Sequence, residues 1–406
     1  MSPTHAVVLT PVGRGAVAVI SVSGPLAIEA IGSHFIAANG KPLAAQPINA
    51  IRFGHWGNAF GEEVVVCRKE DPSYSSLIAH RSSLVEIHCH GGQAAAVAIM
   101  ADLVTGGCTP LGWQEWLRGW ANDPIVAEAQ IALADAPTER TAAILLDQYH
   151  GALSRAIQSV LGFLDQGNAV QASHEIECLV ARAELGRHLT EPWRVVLAGP
   201  PNVGKSSLIN ALLGFARSLV FDQPGTTRDV VTARTAINGW PVELADTAGL
   251  RASDDALESA GVELATSAVN QADLVILVSD ATHPCDGAIQ NLPTAKRLLR
   301  VRNKIDLMPD LQNPKSQIPN PKSTAPNVRP EPLVIYTSAL TGIGVETLLE
   351  AIAQSLVPHS PEPKMALPFT PRQRAALTHA QTALSANDSP GAYGHLQALL
   401  AGPLIS

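Results

Sequence analysis

Paired cysteines are missing from this sequence. Its five cysteines (Cys67, Cys89, Cys108, Cys178, Cys285) are odd in number, scattered, and form no C-x-x-C pair. That reads against a disulfide framework and for a reducing compartment. Long apolar runs are missing too. No stretch reaches the roughly 20 residues of a membrane span, so no membrane partner is expected. Residues 1–25 show neither the basic start nor the small-residue cleavage site of a signal peptide, and the expected location is the cytoplasm. Positive charge is in deficit: 28 Lys and Arg against 36 Asp and Glu give a net charge of −8. With a pI near 5.9 there is no global basic field, so any RNA contact must be local. What is abundant is apolar. A hydrophobic share of 46% with 16% charged residues describes a globular chain, and 406 residues suggest two or three domains. No internal repeat is visible.

Along the chain, residues 1–115 mix short β-like runs with glycine turns, as in AVAVI (16–20), EVVV (63–66) and SLVEI (83–87). The last of these leads into HCHGG and an alanine-rich helix over Gln93–Thr105. Residues 116–190 carry helical periodicity, with Ile144, Leu145, Leu153, Ile157, Val160, Leu161 and Leu164 recurring on one face. Over 191–358, apolar strands alternate with amphipathic segments, the pattern of a parallel sheet covered by helices. Within it, 309–332 is rich in Pro, Asn and Lys and reads as an exposed insertion. Residues 359–406 begin another helical stretch after Phe369, with a proline near its start.

Chemistry concentrates in the third segment. Residues 199–207 read GPPNVGKSS, after the apolar RVVLA (194–198) and ahead of the amphipathic SLINALL (207–213). G-x-x-x-x-G-K-S between a strand and a helix is a phosphate-binding loop. Backbone N–H groups from Asn202, Val203 and Gly204 through Ser207 form an anion-sized concavity at a helix N-terminus. Lys205 reaches the outer phosphates, and Ser206 offers its hydroxyl to magnesium. Downstream, DQPGTTRD (222–229) holds Thr226 and Thr227, and Thr227 can reach both magnesium and the γ-phosphate. VELA (242–245) runs into DTAGLR, where Asp246 serves magnesium through water and the Gly249 N–H meets the γ-phosphate.

The base is read by NKID, Asn303, Lys304, Ile305 and Asp306. Asp306 accepts two hydrogen bonds from guanine N1–H and its amine, a donor pair that adenine lacks. Asn303 braces the loop, and Ser338-Ala339 gives a backbone contact near guanine O6. Five such elements in order, each at a strand end, make a GTPase domain. Hydrolysis needs a group to orient water. Many GTPases place glutamine directly after DTAG, but this position is Leu250. Glu258 is within reach if its loop folds back over the phosphate; a solvated helix-start carboxylate is the other reading. Asn202 can help hold a monovalent cation against the phosphates in place of an arginine.

These residues resemble the tRNA modification GTPase MnmE (TrmE) family. GPPNVGKSSLINAL, PGTTRD, DTAGLR and NKIDL look like its G domain, and Glu258 stands at the spacing of its catalytic glutamate. TPVGRGAVAVISVSG (10–24) and VEIHCHGG (85–92) look like its N-terminal segments. The resemblance implies an α/β protein with this order: a small N-terminal α/β domain (1–115), helices (116–190), an inserted P-loop GTPase domain (191–358) and returning helices (359–406). The GTPase domain would carry a mainly parallel sheet with helices on both faces. It implies potassium-activated hydrolysis, with Asn202 on K+ and 221–229 as the potassium loop, in a homodimer whose G domains pair across their nucleotide faces. It also implies C5 modification of the tRNA wobble uridine, a flavin-dependent MnmG-type partner, and a tetrahydrofolate derivative bound by the N-terminal domain. Arg14, between two glycines, suits a folate tail or a solvated turn equally. The sequence departs from the family in three places. No FCIGK cysteine motif follows Cys285, Ser21 replaces the arginine before I-S-G, and LGWQEWLRGWAND (111–123) replaces P-G-E-F-T-x-R-A-F-L-N-G-K. The chain therefore reads as a divergent member.

Other features read more plainly. His88 and His90 share a strand face but have no further ligand spaced to close a metal site. Trp113, Trp116 and Trp120 fall on one helical face and suggest a helix–helix contact rather than base stacking on RNA. Arg372 and Arg374 could touch phosphate, with solvated surface charge as the default reading. Two alternatives to a tRNA-modification hydrolase stand: a GTP-gated binding switch that barely hydrolyses, and a ribosome-assembly GTPase.

Overall fold

The computed structural model describes residues 3–11, 13, 15–57, 61–69, 83–121, 123–216, 232–246, 267–282, 297–308 and 334–401. They fall into two units, Met1–Ala127 with Ala401–Ser406, and Glu128–Leu400.

The first unit is built on a seven-stranded sheet. Its elements in chain order are β1 (His5–Val8), β2 (Val17–Gly24), α1 (Ala27–Gly32), β3 (Phe35–Ala37), β4 (Ile51–Trp56), β5 (Glu62–Lys69), β6 (Ser83–His90), α2 (Gln93–Thr105), β7 (Thr109–Pro110) and α3 (Trp113–Trp120). The strand order is β3-β4-β5-β6-β2-β1-β7, antiparallel throughout except for the β1–β7 pair. Alternation along the strands decides what is buried. Ala18, Ile20 and Val22 of β2 join Val85, Ile87 and Cys89 of β6 in a core shared with Ile31 of α1 and with Ile99 and Leu103 of α2. The opposite face carries Glu86 and His88. His88 lies 3.5 Å from Glu86, and His90 pairs with Glu62. Among the described residues no three His, Cys, Asp or Glu side chains gather as a metal site. On α3, Trp116 donates from Nε1 to Ser23 Oγ of β2 at 3.2 Å.

α4 (Pro124–Ala134) crosses from the first unit into the second. α5 (Glu139–Tyr149), α6 (Ala152–Asp165) and α7 (Ala169–Arg187) follow; Thr138 caps α5 with a capping box and Asn168 caps α7. A six-stranded sheet comes next, made of β8 (Trp193–Ala198), β9 (Thr232–Ile237), β10 (Trp240–Asp246), β11 (Leu274–Asp280), β12 (Leu298–Asn303) and β13 (Val334–Tyr336). Helices α8 (Lys205–Phe215) and α9 (Val345–Leu356) accompany it. Its order is β13-β12-β11-β8-β10-β9. All neighbours are parallel except β9, which turns back on β10 through Asn238 and Gly239, both at positive φ. The central strands WRVVLA and LVILVSD are nearly continuous apolar runs because helices cover both faces of a parallel sheet. The chain then returns as α10 (Pro371–Ser385) and α11 (Ser389–Ala401), and α10 packs along α7. In chain order, a small α/β unit is followed by helices, by this mainly parallel sheet with its helices, and by returning helices. Arg372 is not the solvated charge expected. Its Nε and Nη2 hold Glu128 at 2.6 and 3.2 Å, and its Nη1 donates to the Leu399 carbonyl at 3.1 Å.

Candidate nucleotide site

Parallel strands end on one edge of the sheet, and every described motif residue lies there. β8 runs into the loop 199–204, whose backbone needs residues able to hold positive φ. Gly199 (φ +147) comes so near β11 that a Cβ would stand 2.1 Å from the Val278 carbonyl oxygen. Asn202 (φ +63) and Gly204 (φ +92) complete the turn into α8. Lys205 is buried, and its Nζ donates to the carbonyls of Gly199 and Pro200 at 3.0 and 2.9 Å. The ammonium thus lies inside the curl of the loop, where phosphate oxygens would stand. Ser206 Oγ donates to Asp246 Oδ2 at 2.5 Å, and Asp246 at the end of β10 is itself buried.

Asn303 ties this loop to the segments expected to read the base. It is 1% exposed. Its Nδ2 donates to the Val203 carbonyl at 3.0 Å, while its Oδ1 accepts from the Ala339 N–H at 3.1 Å and the Thr337 hydroxyl at 3.3 Å. Asp306 accepts from Ser338 Oγ at 2.6 Å, which fixes the carboxylate beside the loop expected near guanine O6. Lys304, in left-handed backbone (φ +67), pairs with Asp280 at 2.8 Å. Burial alone would raise the Asp280 carboxyl. Hydrogen bonds from Lys304 and Thr282 outweigh that and hold it down to about 2.

Residues 194–306 match the family described as 50S ribosome-binding GTPase, and residues 4–111 match the one described as GTP-binding protein TrmE N-terminus. The chain is 33% identical over 345 residues to the tRNA modification GTPase MnmE of Carboxydothermus hydrogenoformans, covering 76% of this chain and 74% of that protein. It belongs to the tRNA modification GTPase MnmE family. The MnmE of Thermus thermophilus is 32% identical over 378 residues, covering 86% of this chain and 82% of its own. That of Bacillus subtilis is 30% identical over 390 residues, covering 87% and 82%. The family makes this chain a GTPase, with GTP and Mg2+ as its ligands.

The residues present fit both. A hydroxyl and a carboxylate meeting beside a helix N-terminus are hard oxygen donors, suited to a magnesium ion that keeps part of its water shell. Thr226, Thr227, Gly249, Leu250, Glu258 and Arg14 lie outside the described residues. So do the whole segment 221–229 and the insertion 309–332. Sequence reasoning missed Asp280 and Thr282. One signal was available: LVILVSD ends in a carboxylate just as WPVELAD ends in Asp246. A cleft of about 980 Å3 between α5, the β9–β10 turn and 360–365 lies away from the motif residues. Its Arg140 is already stacked over Trp240 and bonded to Ser360, so we do not assign the nucleotide to it. Among the described residues no helix is long and apolar enough to cross a membrane.

Proposed function

We propose that this MnmE-family chain hydrolyses GTP in a potassium-activated reaction that drives C5 modification of the tRNA wobble uridine in the cytoplasm. The observation that carries the reading is the joining of three loops at one strand edge by Asn303, with Ser206 and Asp246 converging on the phosphate side. Such a site is assembled before its ligand arrives, and fixed dipoles in place stabilise developing charge without reorganisation.

In this reading the N–H groups of Asn202, Val203, Gly204, Lys205, Ser206 and Ser207 and the Lys205 ammonium bind the phosphates. Ser206, Thr227 and Asp246 (through water) hold Mg2+, which supplies charge neutralisation to the phosphate oxygens. Thr226 and the Gly249 N–H close on the γ-phosphate. Asp306 selects guanine, Asn303 and Lys304 brace its loop, and Ser338 and Ala339 border O6. Asn202, exposed in left-handed backbone at the crest of the loop, is a K+ ligand. Glu258 orients the attacking water, a role that Leu250 cannot fill. The domain limits proposed are 1–115, 116–190, 191–358 and 359–406. The family further supports a homodimer, an MnmG-type flavin partner, and a tetrahydrofolate derivative on the N-terminal domain with Arg14 at its anionic tail.

Turnover measured in KCl and then in NaCl, with Glu258→Ala alongside, tests the core of this. Potassium is expected to accelerate hydrolysis. Glu258→Ala should keep GTP affinity and lose about 100-fold or more in kcat. Equal turnover in the two salts would sink the potassium mechanism. Tight GTP binding without turnover in either salt would mean a nucleotide-gated switch instead.

A further inference from the structure

We propose that Asp280 is a positioning residue for guanine-nucleotide binding, acting through Lys304 without itself touching the nucleotide. The inference rests on reading 303–306 as the guanine loop.

Strand β11 delivers Asp280 opposite Asn303, its register partner on β12. The next residue locks the two strand ends together, the Ala281 N–H donating to the Asn303 carbonyl at 2.8 Å. Thr282 then aims the carboxylate. Its N–H and its hydroxyl both donate to Asp280 Oδ1, at 2.9 and 2.7 Å. With one oxygen held in this way, Oδ2 faces the Lys304 ammonium at 2.8 Å. Lys304 needs such a partner for two reasons. Its φ of +67 is a conformation that side-chain-bearing residues disfavour. Its stem is one-third exposed, and an ammonium on four rotatable carbons otherwise samples many rotamers. Tethering the ammonium holds that stem in one place between Asn303 and Asp306. Asp306 is held in turn by the Ser338 hydroxyl at 2.6 Å, so both charged side chains of the loop are placed before nucleotide enters. Less ordering is then left to be done on binding.

The test is GDP affinity by titration with a fluorescent GDP analogue, together with kcat and KM for GTP, on the full chain. Asp280→Asn keeps size and most hydrogen-bonding capacity but removes the charge. It should weaken GDP binding and raise KM by roughly ten-fold, the scale of one hydrogen bond to a charged group, with kcat within about two-fold. Thr282→Val should weaken binding in the same direction by about three-fold, since it releases one hydroxyl from Asp280; it also serves if Asp280→Asn does not fold. Adding Asp280→Asn to Lys304→Met should change nothing further, because the partner is already gone. Unaltered affinity in Asp280→Asn, or an equal loss whether or not Lys304 is present, would overturn the inference. Asp306→Ala separates the two readings. If it leaves GDP affinity intact, the guanine-loop reading itself fails; if it abolishes binding while Asp280→Asn does not weaken it, only the role of Asp280 fails.

Discussion

At the scale of single residues, Asn303 shows how a motif letter becomes a structural part. Its amide has one donor bond to Val203 and two acceptor bonds from Ala339 and Thr337, all inside the protein. Asn303→Ala would orphan those partners in a site where Asn303 is almost wholly buried. We expect it to cost about 2–3 kcal/mol of stability and to weaken GTP binding by at least ten-fold. Denaturant unfolding and nucleotide titration check this; unchanged GTP affinity would show that the loops hold together without it. Gly204 belongs to the same contact, since a Cβ there would stand 2.5 Å from Asn303 Nδ2. The phosphate-loop spacing asks for glycine at this place, but the reason is legible only when β12 lies beside the loop.

At the scale of elements, the inserted domain leaves the helical segment through α7 and returns to it through α10. At Gly186, α7 meets the segment just ahead of α10 so closely that a Cβ would stand 1.8 Å from the Pro368 carbonyl oxygen. Helix propensity favours alanine over glycine by roughly 1 kcal/mol, so an isolated α7 would gain from Gly186→Ala. In the protein the backbone clash should win, and we expect a net loss of about 3 kcal/mol in chemical denaturation. GTP affinity of the folded variant should stay at its wild-type value. A more stable variant would mean that α7 and the 366–369 segment can separate freely. Periodicity locates α7 in the sequence, but Gly186 reads there as a weak point in a helix. Trp116 and Arg372 are similar cases. Trp116 was legible as a side chain on a helical face and Arg372 as a charge, and neither partner, Ser23 or Glu128, could be named.

At the scale of the whole molecule, the carboxylates on β11 and just before it link stability to pH. Burial pushes Asp273 up, yet hydrogen bonds from His188 and the Arg194 N–H, with the charges of His188 and Arg187, leave it below the ordinary range. Asp280 is held near 2. A folded pKa below the unfolded one stabilises above the unfolded value, and that stabilisation disappears as pH falls through the folded value. For Asp280 the window runs from about pH 4 down to about 2, and the contribution is roughly 2 kcal/mol. Urea midpoints at pH 7, 4 and 2.5 should therefore fall on acidification, and fall less for Asp280→Asn than for the wild type. A steeper acid loss in the variant would reverse the assignment.

Chain order and local chemistry alone determined the GTPase class and the parallel sheet, and they named the loops of the candidate nucleotide site. The reason is physical: the motifs are short loops at strand ends, and the groups that would hold phosphate and base are local to each, so each motif carries its own geometry. The tertiary structure alone decided that Asp280 faces Lys304, that Arg372 closes on Glu128, and that Gly186 lies under Pro368. Those contacts join segments by strand order and helix packing, and no local period in a sequence encodes which distant segment will become a neighbour.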